Sequence, residues 1–283
     1  MPVALIDLTP ESGIALGPLT VGFYGVGFVL AIAVMILVSQ SEARRRGEDP
    51  GLVTSAIVVV AVLALVGARL YHVVGEWETY AADPLRAILP PYAGLGLYGG
   101  ILGAAVGIWI FVRGKGIPLS RALDTVVPGT LIAQGIARWG NFFNQELYGP
   151  PTDLPWGIAI DCTHRIDQYP CSPAFPLEST GFHPLFLYES ALDILGGLIA
   201  LVLARRAGHI LRDGDLASFW MVWYGSVRLV LETFRYGWNW TLAGIPTAML
   251  IGVVMIVLGV VSIAWRHRRP SPRTGEPVRS PSR

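Results

Sequence analysis

The sequence predicts an all-α integral membrane protein with seven transmembrane helices. Of its 283 residues, 53% are apolar and only 14% are charged, whereas a soluble domain carries about 25% charged residues. Seven stretches each approach the ~20 mostly apolar residues needed to cross a bilayer core about 30 Å thick. The same composition excludes a disordered chain, a collagen-like repeat and a basic nucleic-acid-binding scaffold, so we expect no nucleic-acid partner.

The first predicted span is not a cleavable signal peptide, because no Lys or Arg precedes it. Glycines recur in the third and fifth spans, which favours close packing of helices in lipid. We expect residues 1–269 to form one membrane domain, and the Pro- and Arg-rich segment 270–283 to be a disordered cytoplasmic tail. The seven predicted spans are residues 19–39, 53–75, 93–112, 122–138, 184–204, 216–235 and 245–265.

Basic residues predict the orientation of these spans. Three follow each of the first, third and fifth spans and six follow the seventh, so fifteen of the 21 Lys and Arg residues lie on one side. The other side holds only Arg86 and Arg165. Because Lys- and Arg-rich loops stay in the cytoplasm, we expect the N-terminus outside, the C-terminus inside, and a long outer segment at 139–183.

That outer segment contains both cysteines, Cys162 and Cys171. On an exported, oxidising face the two could close a small disulfide loop, and two free thiols are the alternative. Neither cysteine is expected to be catalytic, because no Cys–His–acid spacing surrounds them.

The sixth predicted span carries a stripe of polar residues, Tyr224, Arg228, Glu232 and Arg235. An ionisable residue at membrane depth costs at least about 2.5 kcal/mol and is therefore a candidate for function. At 100° per residue all four share one helical face, and Arg228 and Glu232 can pair one turn apart. The alternative is a purely structural ion-pair ladder between helices.

A second polar run stands at the outer end of the fourth span. Its guanidinium, amide and carboxylate groups suit recognition of a phosphate ester, because Arg grips such an anion through two parallel hydrogen bonds. Two glycines bracket the run and predict a tight turn with free backbone N–H groups. The alternative is a capped helix end. The run comprises Arg138, Gly140, Asn141, Asn144, Glu146 and Gly149.

A third polar set begins the fifth span with His183, Tyr188 and Glu189. The lone histidine is either an interfacial structural residue or a catalyst. Tyr24 in the first span and Arg69 in the second add further polar groups. The five histidines have no metal-ligand spacing, and hydrolase, zinc-protease and nucleotide-binding motifs are absent from the sequence, so no metal site is expected.

The run at 138–149, RWGNFFNQELYG, resembles the signature of the prolipoprotein diacylglyceryl transferases, a bacterial inner-membrane family. The resemblance extends along nearly the whole chain. It includes FYG at 23–25, GAR at 67–69, HP and YE within 183–189, and Y-x3-R-x3-E-x2-R at 224–235. Several ordered motifs on seven spans make this match far more specific than any single motif.

The resemblance implies a transferase that moves the sn-1,2-diacylglyceryl group from phosphatidylglycerol to the lipobox cysteine thiol of a prolipoprotein. The product is a thioether, glycerol phosphate is released, and the step is the first in lipoprotein maturation. The implied partners are phosphatidylglycerol, the prolipoprotein signal peptide and the lipid bilayer, without a metal or organic cofactor. The implied location is the cytoplasmic (inner) membrane, with the active site open to the outer leaflet.

In such a reaction a thiolate displaces a phosphate ester, so the departing negative charge must be stabilised. We expect Arg138 and Arg228 to form that clamp, Asn141 and Glu146 to orient the glycerol head, and Arg235 to receive the anionic product or to pair with Glu232. The predicted substrate-binding residues are Tyr24, Arg69, Asn141, Asn144, Glu146, Gly149, His183, Tyr188, Glu189, Tyr224 and Arg235.

The group that removes the thiol proton is left open. Many family members carry a histidine in the motif before the paired glycines of the third span, where this sequence has Tyr98. A phenol of pKa about 10 is a poor base unless nearby arginines lower that pKa. Either Tyr98 only forms hydrogen bonds, or the proton leaves through Glu232, Glu189 or water. The predicted catalytic residues are Arg138, Arg228, Glu232 and Tyr98.

Two rival functions remain open at the level of the sequence. A secondary transporter could use the arginine and glutamate stripe as an anion or proton relay, but no inverted repeat is recognisable. A non-catalytic lipid-binding or scaffold protein would use the arginines only for structural pairs.

Overall fold

The computed structural model describes residues 13–16, 19–81, 83–87, 94–235 and 241–268; the predicted tail 270–283 lies outside them. Two antiparallel hairpins occur in this part, formed by β1 (Gly13–Leu16) with β2 (Leu19–Gly22) and by β3 (Thr241–Leu242) with β4 (Ile245–Pro246). All other long elements are helical. They are α1 (Phe23–Arg45), α2 (Gly51–Gly75), α3 (Trp77–Ala81), α4 (Leu97–Lys115), α5 (Leu119–Ala137), α6 (Trp139–Phe143), α7 (Leu185–Arg206), α8 (Asp215–Glu232) and α9 (Thr247–Arg268).

Each predicted span coincides with one of the long helices, but only five of these are long and apolar enough to cross a membrane. The five are α1, α2, α4, α7 and α9. The exceptions, α5 and α8, bury polar residues such as Asp124 and Glu232 against neighbouring helices. A helix shielded by other helices needs little apolar surface, which explains the lower hydropathy of these two. The helical class is confirmed, and seven spans remain a prediction.

The outer helices expose many large apolar side chains. On α1 the side chains of Val29 and Leu37 are 68% and 66% exposed, and those of Leu70 and Ile251, on α2 and α9, are both 60% exposed. Such extended apolar surfaces are not tolerated in water, so this chain is a multi-pass membrane protein.

The bundle is organised around α5, which packs against α1, α7 and α8, while α2 pairs with α4 and α8 pairs with α9. Its apolar core includes Leu131, Ala200 and Leu216, contributed by α5, α7 and α8. The predicted close approach at glycines is confirmed between α2 and α4. There a methyl group added to Gly99 would overlap the Gly67 carbonyl oxygen.

Several predicted boundaries are wrong, those of the first and sixth spans among them. Residues 19–22 pair with 13–16 as a hairpin, so the first helix begins at Phe23 rather than at residue 19. The sixth helix ends at Glu232, and a turn follows in which the Arg235 N–H donates to the Glu232 carbonyl at 3.2 Å. Arg235 therefore lies beyond the helix, not on the predicted helical face.

The segment between α6 and α7 folds over its own small core of aromatic and aliphatic side chains. Tyr148 and Phe182 pack edge to face at 4.9 Å, and Ile160 is 1% exposed beside them. Of the two alternatives for the cysteines, the structure has the disulfide between Cys162 and Cys171.

The helix ends with most of the basic residues meet at one end of the bundle. There Glu42 of α1 pairs with Arg45 at 2.7 Å and with Arg205 of α7 at 3.1 Å, and Arg266 of α9 pairs with Asp215 of α8 at 3.0 Å. We call this the basic end. Because α5 and α8 begin at the basic end and α7 ends there, the last residues of α5 and α8 and the first residues of α7 lie at the opposite end.

Candidate active site

A single buried carboxylate joins three arginines at the end opposite the basic end. Glu189, on the first turns of α7, is 1% exposed. Its Oε1 lies 2.6 Å from an Arg138 terminal nitrogen and 3.5 Å from one of Arg228, and its Oε2 accepts a hydrogen bond from Arg235 at 3.1 Å. Glu189 thereby holds α7 to the end of α5, to the last turns of α8 and to the segment after α8.

A second carboxylate, Glu232, completes this cluster. Its Oε2 accepts a hydrogen bond from Arg228 at 2.8 Å, as the spacing of the two residues predicts. Asp193 lies one turn after Glu189, is fully buried, and has no hydrogen-bond partner for either oxygen among the described residues. Charges in such a water-poor setting interact more strongly than on a surface.

The predicted convergence of Arg138 and Arg228 is present in the structure. Their guanidinium groups approach the same oxygen of Glu189. The side chains of Arg138 and Arg228 remain 21% and 14% exposed, against 7% for Arg235. The first two can therefore meet a ligand, whereas Arg235 mainly holds Glu189. Tyr224 adds a phenol oxygen 3.5 Å from Arg138, with its ring stacked on Trp220.

The amide and carboxylate groups after α6 form a compact unit. The side-chain amides of Asn141 and Asn144 donate to the same oxygen of Glu146, at 2.9 and 3.3 Å. This loop bends at Gln145 and Leu147, which have positive φ values of 49° and 56°. Such backbone costs about 1–2 kcal/mol per non-glycine residue, so surrounding contacts must hold it.

Gln145 makes such contacts. No role was predicted for it from the sequence. Its side chain donates to an Asp161 carboxylate oxygen and accepts from the Asp161 backbone N–H, both at 2.8 Å. Gln145 is 5% exposed. The pair joins the Glu146 loop to the segment closed by the disulfide, across sixteen residues of sequence.

The bracketing glycines do not make the predicted turn. Gly140 lies inside α6, where an added methyl group would overlap the Tyr24 ring, and Tyr24 thus packs directly on the Asn141 helix. The Gly149 N–H donates to the His183 carbonyl at 2.9 Å, so it is not free to face a ligand. The expectation of free N–H groups at this turn is wrong for Gly149, because the segment pairs with residues before α7.

His183 belongs to a hydrogen-bonded chain of side chains. Its Nδ1 lies 3.1 Å from the Tyr188 hydroxyl, which accepts a hydrogen bond from the Trp156 indole at 2.8 Å. Burial lowers the pKa of His183 below its ordinary 6.5, so the ring is neutral at pH 7. Trp156 was not expected from the sequence, and it ties the outer segment to the start of α7.

Arg69 and Tyr98 lie on the paired helices α2 and α4. Arg69 donates to the carbonyls of Arg86, Ala87 and Gly94 at 2.7, 2.9 and 3.2 Å, and so fastens the connection between these helices. The Tyr98 ring contacts the Tyr71 ring of α2 at 6.0 Å.

In the part of the chain that the structure describes, no group of three or more His, Cys, Asp and Glu side chains is placed to hold a metal ion. The fold and the site together define a multi-pass membrane protein with a buried arginine–carboxylate cluster at one end of its bundle.

Comparison with known proteins identifies the family of this chain. Residues 12–265 match the family model for prolipoprotein diacylglyceryl transferase. Curated relatives that carry the name phosphatidylglycerol–prolipoprotein diacylglyceryl transferase include one from Chloroflexus aggregans, 38% identical over 89% of this chain and 87% of the relative. Another, from Symbiobacterium thermophilum, is 35% identical over 94% of this chain and 96% of the relative. The chain belongs to the prolipoprotein diacylglyceryl transferase family.

Proposed function

We propose that this protein transfers the diacylglyceryl group of phosphatidylglycerol to the lipobox cysteine of prolipoproteins, the first step of lipoprotein maturation. The family match over residues 12–265 carries the proposal. The meeting of Arg138 and Arg228 at one carboxylate oxygen supports it, since an anionic lipid headgroup needs such a pair of cations.

The chemical step is a substitution at the primary carbon of the diacylglycerol. The cysteine sulfur forms a bond to this carbon, the bond from the carbon to the phosphate oxygen breaks, and glycerol phosphate leaves with the electron pair. Arg138 and Arg228 stabilise the charge that grows on that oxygen. Their fixed pairing with Glu189 keeps the guanidinium groups oriented before the substrate arrives, so little reorganisation is needed.

The polar head of the lipid would lie beside Asn141, Asn144 and Glu146. Glu146 already receives two amide N–H groups on one oxygen, which leaves its other oxygen to accept a glycerol hydroxyl. Tyr24, Gly149, His183, Tyr188 and Tyr224 would line this region, and Arg69 would act by holding the connection between α2 and α4.

The thiol proton must leave as the sulfur attacks. Glu189 and Glu232 lie within the cluster, whereas Tyr98 packs on Tyr71. We propose that Tyr98 contributes a hydrogen bond rather than acting as the base. Loss of a general base slows a reaction by about 10²–10⁴-fold, so the turnover of Tyr98→Phe is expected to fall by less than that.

We further propose that all seven long helices cross the bacterial inner membrane, with the N-terminus outside and the basic end in the cytoplasm. The concentration of Lys and Arg at one end supports this orientation. The Glu189 cluster would then open to the outer leaflet, and residues 1–269 would form one membrane domain.

The activity is tested with the purified protein in lipid nanodiscs that contain phosphatidylglycerol. A lipobox peptide should gain the mass of one diacylglyceryl group, while glycerol phosphate is released. A matched peptide with serine in place of the lipobox cysteine should stay unchanged. Absence of the mass increase with folded protein would contradict the proposal.

A further inference from the structure

A second polar cavity lies at the basic end, far along the helices from the Glu189 cluster. It has a volume of about 140 Å³, well above the roughly 10–15 Å³ that a single water molecule needs. The cavity lies between the end of α1, the second turn of α5 and the connection between α7 and α8. The charged side chains that line it are Arg45, Arg46, Asp124, Arg212 and Asp213.

The positive charge of Arg46 is only partly compensated by its neighbours among the described residues. Its side chain is 16% exposed, and its terminal nitrogens lie 4.0 Å from Asp124 and 3.9 Å from Asp213. Hydrogen bonds of this type are about 2.7–3.2 Å long, so both contacts are charge attractions without a bond. The Nε of Arg46 is buried and has no hydrogen-bond partner among the described residues.

Asp124 cannot move closer to Arg46, because both of its oxygens are already engaged. They accept the backbone N–H groups of Gly214 and Ala217, at 2.7 and 2.9 Å, and so cap the start of α8. Asp213 is 52% exposed and can turn to solvent. Arg45 is already paired with Glu42 at 2.7 Å, and Arg212 donates to the Arg266 carbonyl, so Arg46 supplies most of the uncompensated positive charge in the cavity.

We propose that this cavity binds a phosphate group through Arg46, Arg45 and Arg212. Guanidinium groups bind phosphate through paired hydrogen bonds, and basic pockets between helices on the cytoplasmic side bind anionic lipid heads. The same phosphate chemistry is offered by a lipid headgroup of the adjoining leaflet and by a free anion. This inference does not depend on the proposed transferase activity.

An occupied cavity would hold α1, α5 and the α7–α8 connection together. Arg138 follows α5, Glu189 lies on α7 and Arg228 lies on α8. A ligand that binds only the folded protein raises the unfolding temperature by an amount that grows with the logarithm of its concentration above the Kd, which gives a readout that is independent of turnover.

The test measures the unfolding temperature of the full chain in phosphatidylcholine nanodiscs. One arm adds inorganic phosphate, and the other replaces part of the lipid with phosphatidic acid, which carries a phosphate monoester. Because Arg138 and Arg228 could also bind phosphate, a rise in either arm supports the proposal when Arg46→Gln reduces that rise, and the arm that rises identifies the source as lipid or free anion. No rise in either arm would overturn it.

The variant arm compares Arg46→Gln with Arg44→Gln, which removes the same charge from an exposed neighbour on α1. We expect Arg46→Gln to bind the effective ligand about tenfold or more weakly, and Arg44→Gln to bind it normally. Equal binding by both variants would contradict the site. Should Arg46→Gln fail to fold, Arg212→Gln provides the same comparison.

Discussion

At the scale of single residues, the cluster around Glu189 illustrates how a membrane protein keeps charge in its interior. A buried ion is stable only when it is paired, and removal of one partner leaves the other uncompensated. Glu189 is almost fully buried and holds Arg138, Arg228 and Arg235. The same contacts that make these arginines tolerable also orient them toward a shared point.

This arrangement leads to the first prediction. Arg138→Ala and Arg228→Ala should each lower turnover by about 100-fold or more, since loss of one oriented charge donor at a developing anion has that effect. Turnover is measured with the lipobox peptide, and the unfolding temperature verifies that each variant is folded. Arg44→Gln is the control, because it removes an exposed arginine at the other end. Near-normal rates in a folded Arg138 or Arg228 variant would remove that residue from the mechanism.

His183 gives a prediction about pH. Because burial holds its pKa in the folded protein below the ordinary 6.5, the unfolded chain takes up a proton more readily than the folded protein does. Protonation of His183 therefore has no effect on the free energy of unfolding above pH 6.5. It lowers that free energy as the pH falls from 6.5 through the pKa of the folded state. The unfolding temperature of the native protein should therefore drop more steeply in that window than that of His183→Gln. Parallel curves for the two proteins would show that His183 is not the source.

At the scale of elements, hydropathy indicates membrane crossing more clearly for the outer helices of the bundle than for α5 and α8. α5 carries Asp124 and lies against three other helices, so its polar residues are satisfied inside the protein and its sequence is less apolar. α8 is similar, with Glu232 buried at its end. Two of the three helices that carry the candidate site, α5 and α8, are therefore ones whose membrane-crossing character is weak in the sequence, whereas α7, which carries Glu189, is apolar enough to cross.

The contact between α2 and α4 gives an element-scale prediction. Gly99→Ala should lower stability by about 1–3 kcal/mol, because the added methyl group overlaps the Gly67 carbonyl and the Tyr71 side chain. Gly114→Ala is the matched control on the same helix, since nothing lies within 4 Å of a methyl group there. Chemical unfolding in detergent measures both. Equal stability of the two variants would contradict the tight packing of α2 on α4.

At the scale of the whole molecule, two ends with different chemistry are separated by the length of the bundle. The basic end holds its helices together through ion pairs such as Arg205 with Glu42. The other end combines the Glu189 cluster with the disulfide-closed segment. The distribution of charge thus supports the proposed orientation of the molecule in the membrane.

This direction leads to the last prediction. Asp153→Cys, in the outer segment, should react with a membrane-impermeant maleimide on intact cells, whereas Arg44→Cys should react only after the membrane is opened. Both positions are exposed, and the native cysteines are joined to each other and do not compete. The reverse labelling pattern would overturn the proposed orientation.

The helical class, the seven long helices and the i, i+4 pair of Arg228 with Glu232 were predictable, because apolar length and helical spacing are local properties. The hairpin at 13–22 and the end of α8 were not, since turn positions depend on what the flanking chain packs against. The contacts of Gln145 and Trp156 were not predictable either, because each side chain bonds a partner that is distant in the sequence.

Composition, periodicity and residue order are enough to predict that this chain lies in a membrane, that its long elements are helices and which family motifs it carries. The folded structure was needed to show that Glu189 is the common partner of Arg138, Arg228 and Arg235, and that Cys162 bonds Cys171. The physical reason is that a buried charge selects its partners by distance in space, and helix packing sets those distances.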